Sequence, residues 1–390
     1  MPEALSSDPI MSLARPEVIA DPYPALAVLR AERPAFFYER LGSWMFTRHA
    51  DCVTVLRDSS RFAADWRRVG ETLPPRTVNM MTLDPPEHTV VRRFFMDLLR
   101  EQDGPDIERL IAARAAELLA ALEDRPSFDL LTEFAEPLAL SVTADYLGVP
   151  VPDGDWISGI GRAAAAGMDA GLWPERAAPV QVAQEQSAGL IDGWLADPPT
   201  GGIVGAVAAR AAGSGVDPSV LSNTVRGLLF SGYSSRSKLL ALAAAAALHE
   251  RAVRLEDVRD APDPGRAVEE LIRYTSPIQA VARACVTDTE VGGVTVRAGE
   301  GVTLLLGAAN RDPDRFPDPD AIRLDRHPNP HLGFGRGPKS CLGSPSTTVF
   351  TRTALGVLAD RHPSVHAVAA PVYHPNLTLR SLDRFDVTLR

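Results

Sequence analysis

Cysteine is scarce in this chain of 390 residues, and long apolar runs are missing. Cys52, Cys285 and Cys341 are widely separated, which argues against a disulfide framework and against a cysteine-rich zinc or iron–sulfur site. The longest uncharged stretches of the most apolar region, 227–235 and 239–248, are each about half of the roughly 20 residues that span a bilayer. We therefore expect a protein without a membrane anchor, in a reducing, cytoplasmic setting.

The first residues lack the features of an export signal, and the overall charge is acidic. The segment MPEALSSDPIMSLARPEV contains acids and prolines where a signal peptide has a basic start and an apolar run, so export is not expected. The net charge of −10 argues against a general nucleic-acid binder, although one local basic face for an acidic partner is compatible with it.

Helical periodicity dominates the middle of the chain, and hydrophobic residues at 45% suffice for a large core. No internal repeat or linker divides the sequence. We expect one large, mainly α domain with small β-sheets, in which residues 1–80, 280–310 and 370–390 form a smaller β-containing lobe. The predicted helices are 23–32, 87–99, 106–122, further helices between about 157 and 195, 217–251, 264–275 and one after Cys341; the predicted β segments are 43–47, 289–297 and 301–306, with loops at 148–157, 197–202 and 311–338.

The segment HLGFGRGPKSCLG, residues 331–343, packs four glycines and a proline into a loop before a predicted helix. Such a loop can approach a ligand closely. A cysteine at a helix N-terminus is favoured as thiolate by the helix dipole and by unpaired N–H groups, and a thiolate is what iron binds. The alternative from these residues alone is a structural cysteine in a glycine-rich turn.

The same segment resembles the haem-binding signature of the cytochromes P450, carried by Phe334, Gly335, Gly337, Cys341 and Gly343. Further similarity comes from Glu270-Leu-Ile-Arg273, from the run AANRDPDRFPDP at 308–319 and from DPPEH at 84–88 with the following Arg92-Arg93. It covers roughly residues 15–390. The resemblance implies a cytochrome P450 fold, haem b as cofactor, and Cys341 as the protein's ligand to the iron.

The resemblance also implies roles for charged residues. Glu270 and Arg273 would form an ion pair on one helix that supports the loop behind the haem. Haem propionates need cationic or hydrogen-bonding partners when buried. Those partners would be His88, Arg92, Arg283 and His331, while Lys339 occupies a position where the family often has His or Arg and could also meet a propionate.

On the opposite face of the haem, the family usually has a helix that opens at a glycine and presents an acid followed by an alcohol. Alignment on Gly232 puts Ser234 at the acid's position and Ser235 at the alcohol's. Ser235 can donate a hydrogen bond to bound oxygen. The hydroxyl of Ser234 does not replace a carboxylate that titrates near working pH.

Several explanations of the missing acid stay open. Water or a substrate group can relay protons in a monooxygenase with altered proton delivery. Alternatively, the substrate brings its own activated bond, as in N–O cleavage, nitrene transfer, peroxide-driven oxidation or ring closure. The change can also lack chemical consequence, or the chain can be a non-catalytic haem-binding protein. A non-haem helical enzyme that only echoes the motif is a further alternative. Arg236 binds an anionic substrate or reaches a neighbouring helix.

By resemblance, the substrate pocket lies near 67–81, 167–173, the helix around 228–231, 278–281 and the turn at 377–378. Mostly apolar residues suit a modest-sized organic molecule. The expected lining residues are Met80, Met81, Leu228, Leu229, Ser231, Ile278, Gln279 and Val281, with Asn79 as a further orienting group. Met80 and Met81 could equally be core filling.

Family resemblance suggests electrons from NAD(P)H through a ferredoxin and its reductase. Arg93, Arg336 and Lys339 are the candidate docking contacts for that acidic partner. We expect a monomer that acts on a small molecule, without binding nucleic acid or membrane. The Ala-, Arg- and Pro-rich composition resembles bacterial enzymes of secondary-metabolite biosynthesis.

Overall fold

Helices make up most of the chain, as the apolar periodicity predicts. A computed structural model describes residues 8–102 and 105–390. The helices are α1 Pro16–Ile19, α2 Tyr23–Glu32, α3 His49–Arg57, α4 Glu87–Gln102, α5 Pro105–Ala120, α6 Glu136–Leu147, α7 Gly154–Gly167, α8 Ala177–Ala196, α9 Gly202–Arg210, α10 Pro218–Phe230, α11 Arg236–Leu248, α12 Leu255–Arg259, α13 Pro264–Thr275, α14 Leu306–Ala309 and α15 Ser344–Arg361.

Aspartate side chains cap the starts of three helices, α7, α10 and α13. Asp217 accepts a hydrogen bond from the backbone N–H of Ser219 at 2.7 Å, and Pro218 occupies the first turn of α10. Asp263 caps α13 in the same way. Asp153 caps α7, so this helix begins inside the predicted loop at 148–157, at Gly154.

Short strands form small sheets near the two ends of the sequence. The largest sheet has the order β1-β2-β8-β5-β3, with β2 and β8 parallel and its other pairs antiparallel. It draws on residues 35–63 and 280–305. The strands are β1 Ala35–Tyr38, β2 Ser43–Phe46, β3 Phe62–Ala63, β4 Phe128–Asp129, β5 Ala280–Cys285, β6 Thr289–Val291, β7 Val294–Val296, β8 Gly301–Leu305, β9 His366–Ala367, β10 Val372–Tyr373, β11 Leu382–Arg384 and β12 Asp386–Thr388.

Two sequence expectations change at the sheets. The predicted segment 289–297 is a hairpin, β6-β7, closed by Gly292 and Gly293, both with positive φ. A second sheet, β4-β12-β9, pairs Phe128–Asp129 with strands near the end of the chain. Two residues carry too little periodicity for β4 to be predicted.

The main core is built around α11, in which Leu239 through Ala246 are all buried. Five consecutive alanines, 243–247, let neighbouring helices approach this segment closely. The mainly α fold with small β-sheets is therefore confirmed, and α10 and α11 run through its centre.

The predicted single helix at 217–251 is interrupted by a π turn at Ser231–Ser235. Serine and glycine are weak helix formers, and serine hydroxyls compete for backbone carbonyls. Ser231 donates to Gly227 O at 2.6 Å and Ser235 donates to Ser231 O at 2.5 Å. At Gly232, a Cβ would lie 3.0 Å from Thr143 Cγ2, so a larger residue would push α6 away.

Candidate active site

Cys341 is presented by a loop whose backbone requires glycine. Gly335 and Gly337 have φ of +66° and +76°, and a Cβ on Gly337 would lie 2.6 Å from Leu56 O. The N–H of Cys341 donates to Phe334 O at 2.8 Å, and α15 begins at Ser344. The loop is therefore fixed against α3 with the sulfur at the start of α15.

Cys341 combines residue exposure with a thiol that protein atoms surround. The residue is exposed by surface area, yet burial raises the pKa of its thiol. Backbone groups of Gly343 and Ser344 and the charges of Arg236 and Arg92 act in the opposite direction on the pKa. The groups at the helix start therefore favour the thiolate, as expected, but burial outweighs them.

Four predicted propionate partners lie in one basic cluster: His88, Arg92, Arg283 and Lys339. Lys339 interacts electrostatically with Arg92, Arg283 and Asp84, and His88 with Lys339 and Arg92. Burial lowers the pKa of each, to about 4 for His88 and about 8 for Lys339. Such a buried excess of basic groups suits two carboxylates. Cys341 on its loop and this basic cluster together fit a haem.

His331 makes two contacts within the protein. Its Nε2 is 2.6 Å from Glu269 Oε2, and its Nδ1 accepts from the N–H of Gly333 at 3.1 Å. The contact of His331 with a propionate stays a prediction.

Glu270 and Arg273 form a fully buried pair on α13. Arg273 donates to both carboxylate oxygens, at 2.8 and 2.9 Å, and to the carbonyls of Asn310, Pro319 and Ala321. Arg326 donates to the same carboxylate at 3.0 Å. The pair thus connects α13 to the loop between residues 310 and 326.

The π turn brings Gly232, Ser234 and Ser235 together on the long helix. Ser235 uses its hydroxyl hydrogen on Ser231 O, so it offers an acceptor rather than the expected free donor. Ser234 instead accepts a hydrogen bond at 2.5 Å from the Nζ of Lys238. Sequence reasoning missed Lys238. The available signal was the rarity of lysine, since the chain contains only Lys238 and Lys339.

Arg236 reaches a neighbouring helix. Its Nη2 donates to Ser346 Oγ on α15 at 2.7 Å, and its guanidinium lies over the rings of Tyr146 and Phe350. Of the two alternatives for this residue, the structure favours the helix contact over an anionic substrate.

Some of the predicted pocket residues are exposed, whereas others are buried or hydrogen-bonded within the protein. Met81 is 54% exposed and lies beside Gly227 of α10. Ser231 is exposed as well. Leu229 is fully buried in the main core, and its place in the pocket lining stays a prediction. Gln279 donates to Ser276 O at 2.6 Å and is nearly buried.

The other predicted pocket residues take intermediate positions. Met80 is 7% exposed, and its N–H donates to Thr224 Oγ1. Leu228, Ile278 and Val281 are half-buried against the cores. Asn79 donates to Thr77 O. A groove of about 580 Å³ lies between residues 74–76 and α8, near the predicted pocket loops.

A cysteine on a glycine-rich loop, a buried basic cluster and an interrupted central helix together fit a haem-thiolate protein. None of the helices within residues 8–102 and 105–390 combines the length and apolar character that a membrane crossing requires.

Comparisons with known proteins agree with this class. A sequence profile described as "Cytochrome P450" matches residues 246–355. Cytochrome P450 monooxygenase PikC of Streptomyces venezuelae is 30% identical over 99% of this chain and 95% of its own. Mycinamicin IV hydroxylase/epoxidase of Micromonospora griseorubida is 33% identical over 83% of each chain. The ligand-free crystal structure of Mycobacterium smegmatis CYP164A2 has a TM-score of 0.85 at 29% identity, covering 97% of this chain and 99% of its own.

The chain belongs to the cytochrome P450 family. It is a haem-thiolate monooxygenase, an oxidoreductase. When bound, the haem iron supplies the positive charge that keeps the cysteine sulfur deprotonated and the redox chemistry of dioxygen. The protein's own residues position the cofactor and the substrate and control protons.

Proposed function

We propose that this protein monooxygenates a modest-sized organic molecule in bacterial secondary-metabolite biosynthesis, with altered proton delivery. One relative supports the substrate class by its name, the mycinamicin IV hydroxylase/epoxidase. Exposed Met81 and half-buried Leu228 would supply apolar contact to such a substrate.

The π turn is the observation that carries the altered proton delivery. It opens the long helix at Gly232 but presents two alcohols, Ser234 and Ser235, where an acid and an alcohol are expected. An alcohol does not store a proton near neutral pH. In this proposal, protons therefore reach the oxygen by another route, through water, a substrate group or another side chain.

In this proposal, Cys341 Sγ binds the iron, and the propionates lie among His88, Arg92, Arg283 and Lys339. Gly335 and Gly343 leave room beside the sulfur, since a Cβ on either would meet no atom of its surroundings closer than 3.8 Å. Phe334 packs beside Leu239, Val268 and Ile272, which holds the loop in place.

Electrons would come from NAD(P)H through a ferredoxin and its reductase. Exposed Arg93 and half-buried Arg336 suit an acidic partner near the Cys341 loop. Lys339 does not, since its amine donates inward to the carbonyls of Met80 and Leu83. We expect docking to weaken as salt rises, because exposed charges are screened.

The missing acid equally fits a second candidate, in which the substrate carries its own N–O or peroxide bond. Turnover of molecules that shift the haem absorbance would be compared under three conditions: with NAD(P)H, redox partners and ¹⁸O₂; with peroxide; and with neither. We expect ¹⁸O in the product and dependence on electrons. Product formed without electrons or dioxygen would contradict the proposal and support the second candidate.

A further inference from the structure

Lysine is nearly absent from this chain, and neither lysine side chain points to solvent. Lys and Arg together number 40, of which only Lys238 and Lys339 are lysine. Lys339 belongs to the basic cluster of the cofactor site. Lys238 is 8% exposed, on the central helix, one turn beyond the position of the missing acid. Arginine serves almost everywhere else, so a buried lysine here calls for a chemical reason.

The amine of Lys238 is held directly against Ser234. Its Nζ lies 2.5 Å from Ser234 Oγ and donates to it. The other serines of this region, at 231, 235 and 237, donate their hydroxyl hydrogens to the backbone carbonyls of Gly227, Ser231 and Ser234. Ser234 accepts from the lysine instead, so its own hydrogen can be donated onward.

A polar group of α6 and α7 faces the lysine from the other side. Glu136 stabilises the ammonium electrostatically, whereas Arg162 opposes it. Ser158 donates to Glu136 Oε2 at 3.1 Å, and Arg162 donates to Ser158 Oγ at 2.6 Å. Tyr233 interacts with Glu136 and Ser158. Arg162 is exposed and Glu136 half-buried, so this group extends from the electrostatic surroundings of the amine to the surface.

A purely structural role explains these contacts poorly. Burying an ammonium whose direct partner is an alcohol is unfavourable, and methionine would fill the same space without that charge. Burial lowers the pKa of Lys238 to about 8, so both protonation states are accessible near neutral pH. A proton donor needs both states.

We propose that Lys238 replaces the missing acid by storing a proton at Nζ and passing it through Ser234 into the distal cavity. This deepens the proposed function and rests on it. The ammonium gives a proton to Ser234 Oγ, whose own hydrogen leaves toward the cavity, and solvent returns a proton to Nζ through the group around Glu136. Lys238 acts through Ser234 and is therefore a positioning residue.

The test compares haem-loaded wild type with Lys238→Met, Lys238→Arg and Ser234→Ala. Dioxygen consumption is followed from pH 6.5 to 9.5 with NADH and a surrogate ferredoxin and reductase. We expect the wild-type rate to fall as Lys238 deprotonates. The three variants should lose this pH dependence and be slower by about 10²-fold. Arginine keeps the charge but does not release its proton, so it separates a relay from simple charge.

Ser237→Ala is the matched control, since it removes a neighbouring serine that does not contact the amine. It should retain the wild-type rate and pH profile. Each variant must keep its reduced-CO band, which shows that the haem site is intact.

A second readout does not depend on activity. With [ε-¹³C]lysine in the diamagnetic ferrous–CO protein, two side-chain signals are expected, and Lys238→Arg identifies one. That signal should titrate near pH 8, and Glu136→Gln should lower its midpoint, because the carboxylate favours the ammonium.

A midpoint near 10.5, or a Lys238→Arg enzyme with the wild-type rate and pH profile, overturns the relay while leaving the monooxygenase proposal intact. A wild-type enzyme that consumes no dioxygen when electrons are supplied overturns both.

Discussion

At the residue scale, the two faces of the cofactor site differ in how far they follow the family pattern. The sulfur side keeps Phe334, Gly335, Cys341 and Gly343 at the expected spacing. The oxygen side has Ser234 held by Lys238. Spacing in one loop is local and visible in sequence. Whether two side chains four residues apart on a helix form a hydrogen bond depends on the orientation and burial of each, which the sequence does not show.

Replacement of the proposed iron ligand tests the sulfur side. Cys341→Ala should abolish thiolate ligation and turnover, because alanine has no group that binds iron. The measurement is the difference spectrum of the reduced protein with carbon monoxide. A band that stays near the wild-type position would show that another residue binds the iron. Cys52→Ala is the matched control, since Cys52 is fully buried and remote in sequence.

At the element scale, the Cys341 loop and the π turn are both built on glycine, for different reasons. In the loop, positive φ is required at Gly335 and Gly337. In the turn, Gly232 permits the close approach of Thr143 on α6. Glycine-rich spacing predicted the loop. Hydrophobic periodicity could not predict the turn, because it does not distinguish one widened turn within a continuous helix.

Two glycines of the loop separate backbone strain from steric overlap. Gly335→Ala places a Cβ at φ +66° with nothing nearer than 3.8 Å, and should cost about 1 to 2 kcal/mol. Gly337→Ala has similar φ but overlaps Leu56 O, and should cost about 1 to 3 kcal/mol more. Urea unfolding and haem content measure both variants. Equal losses would mean that α3 moves away freely.

At the scale of the whole molecule, a buried network of charged side chains connects α13 to segments that are distant in sequence. Glu270 accepts from Arg273 and Arg326, and Arg273 reaches three carbonyls of the loop at 310–321. The sequence and the family resemblance predicted the pair of residues. The third partner, Arg326, was not predicted, because 56 residues separate it from Glu270 and no periodicity links them.

Replacement of Arg273 should destabilise the whole fold. Arg273→Ala leaves a buried carboxylate with one cation fewer and removes the Arg273 donor from the carbonyls of Asn310 and Pro319, so unfolding should become easier by about 3 to 5 kcal/mol. Arg266→Ala on the same helix removes an exposed pair with Asp263 and should cost under about 1 kcal/mol. Urea midpoints compare the two. Similar losses would show that the buried network contributes little.

The fold class, the glycine-rich loop that carries Cys341 and most helix positions could be predicted because they depend on local patterns. The surroundings of His331 and Leu229 could not be predicted, since they depend on which neighbour binds the imidazole ring and on which side of a helix faces the core. Glu269 contacts the His331 ring, and Leu229 packs in the main core. Such competition is decided by three-dimensional packing.

The inward direction of both lysine amines also determines how the protein meets amine-reactive reagents. An acylating reagent finds no lysine on the folded surface, because Lys238 is buried and the amine of Lys339 donates to Met80 and Leu83. Cross-linkers that target lysine would therefore miss a docked redox protein, and carboxyl-directed chemistry would be needed to map it. Acylation of either lysine would instead report that the protein had opened around its cofactor site.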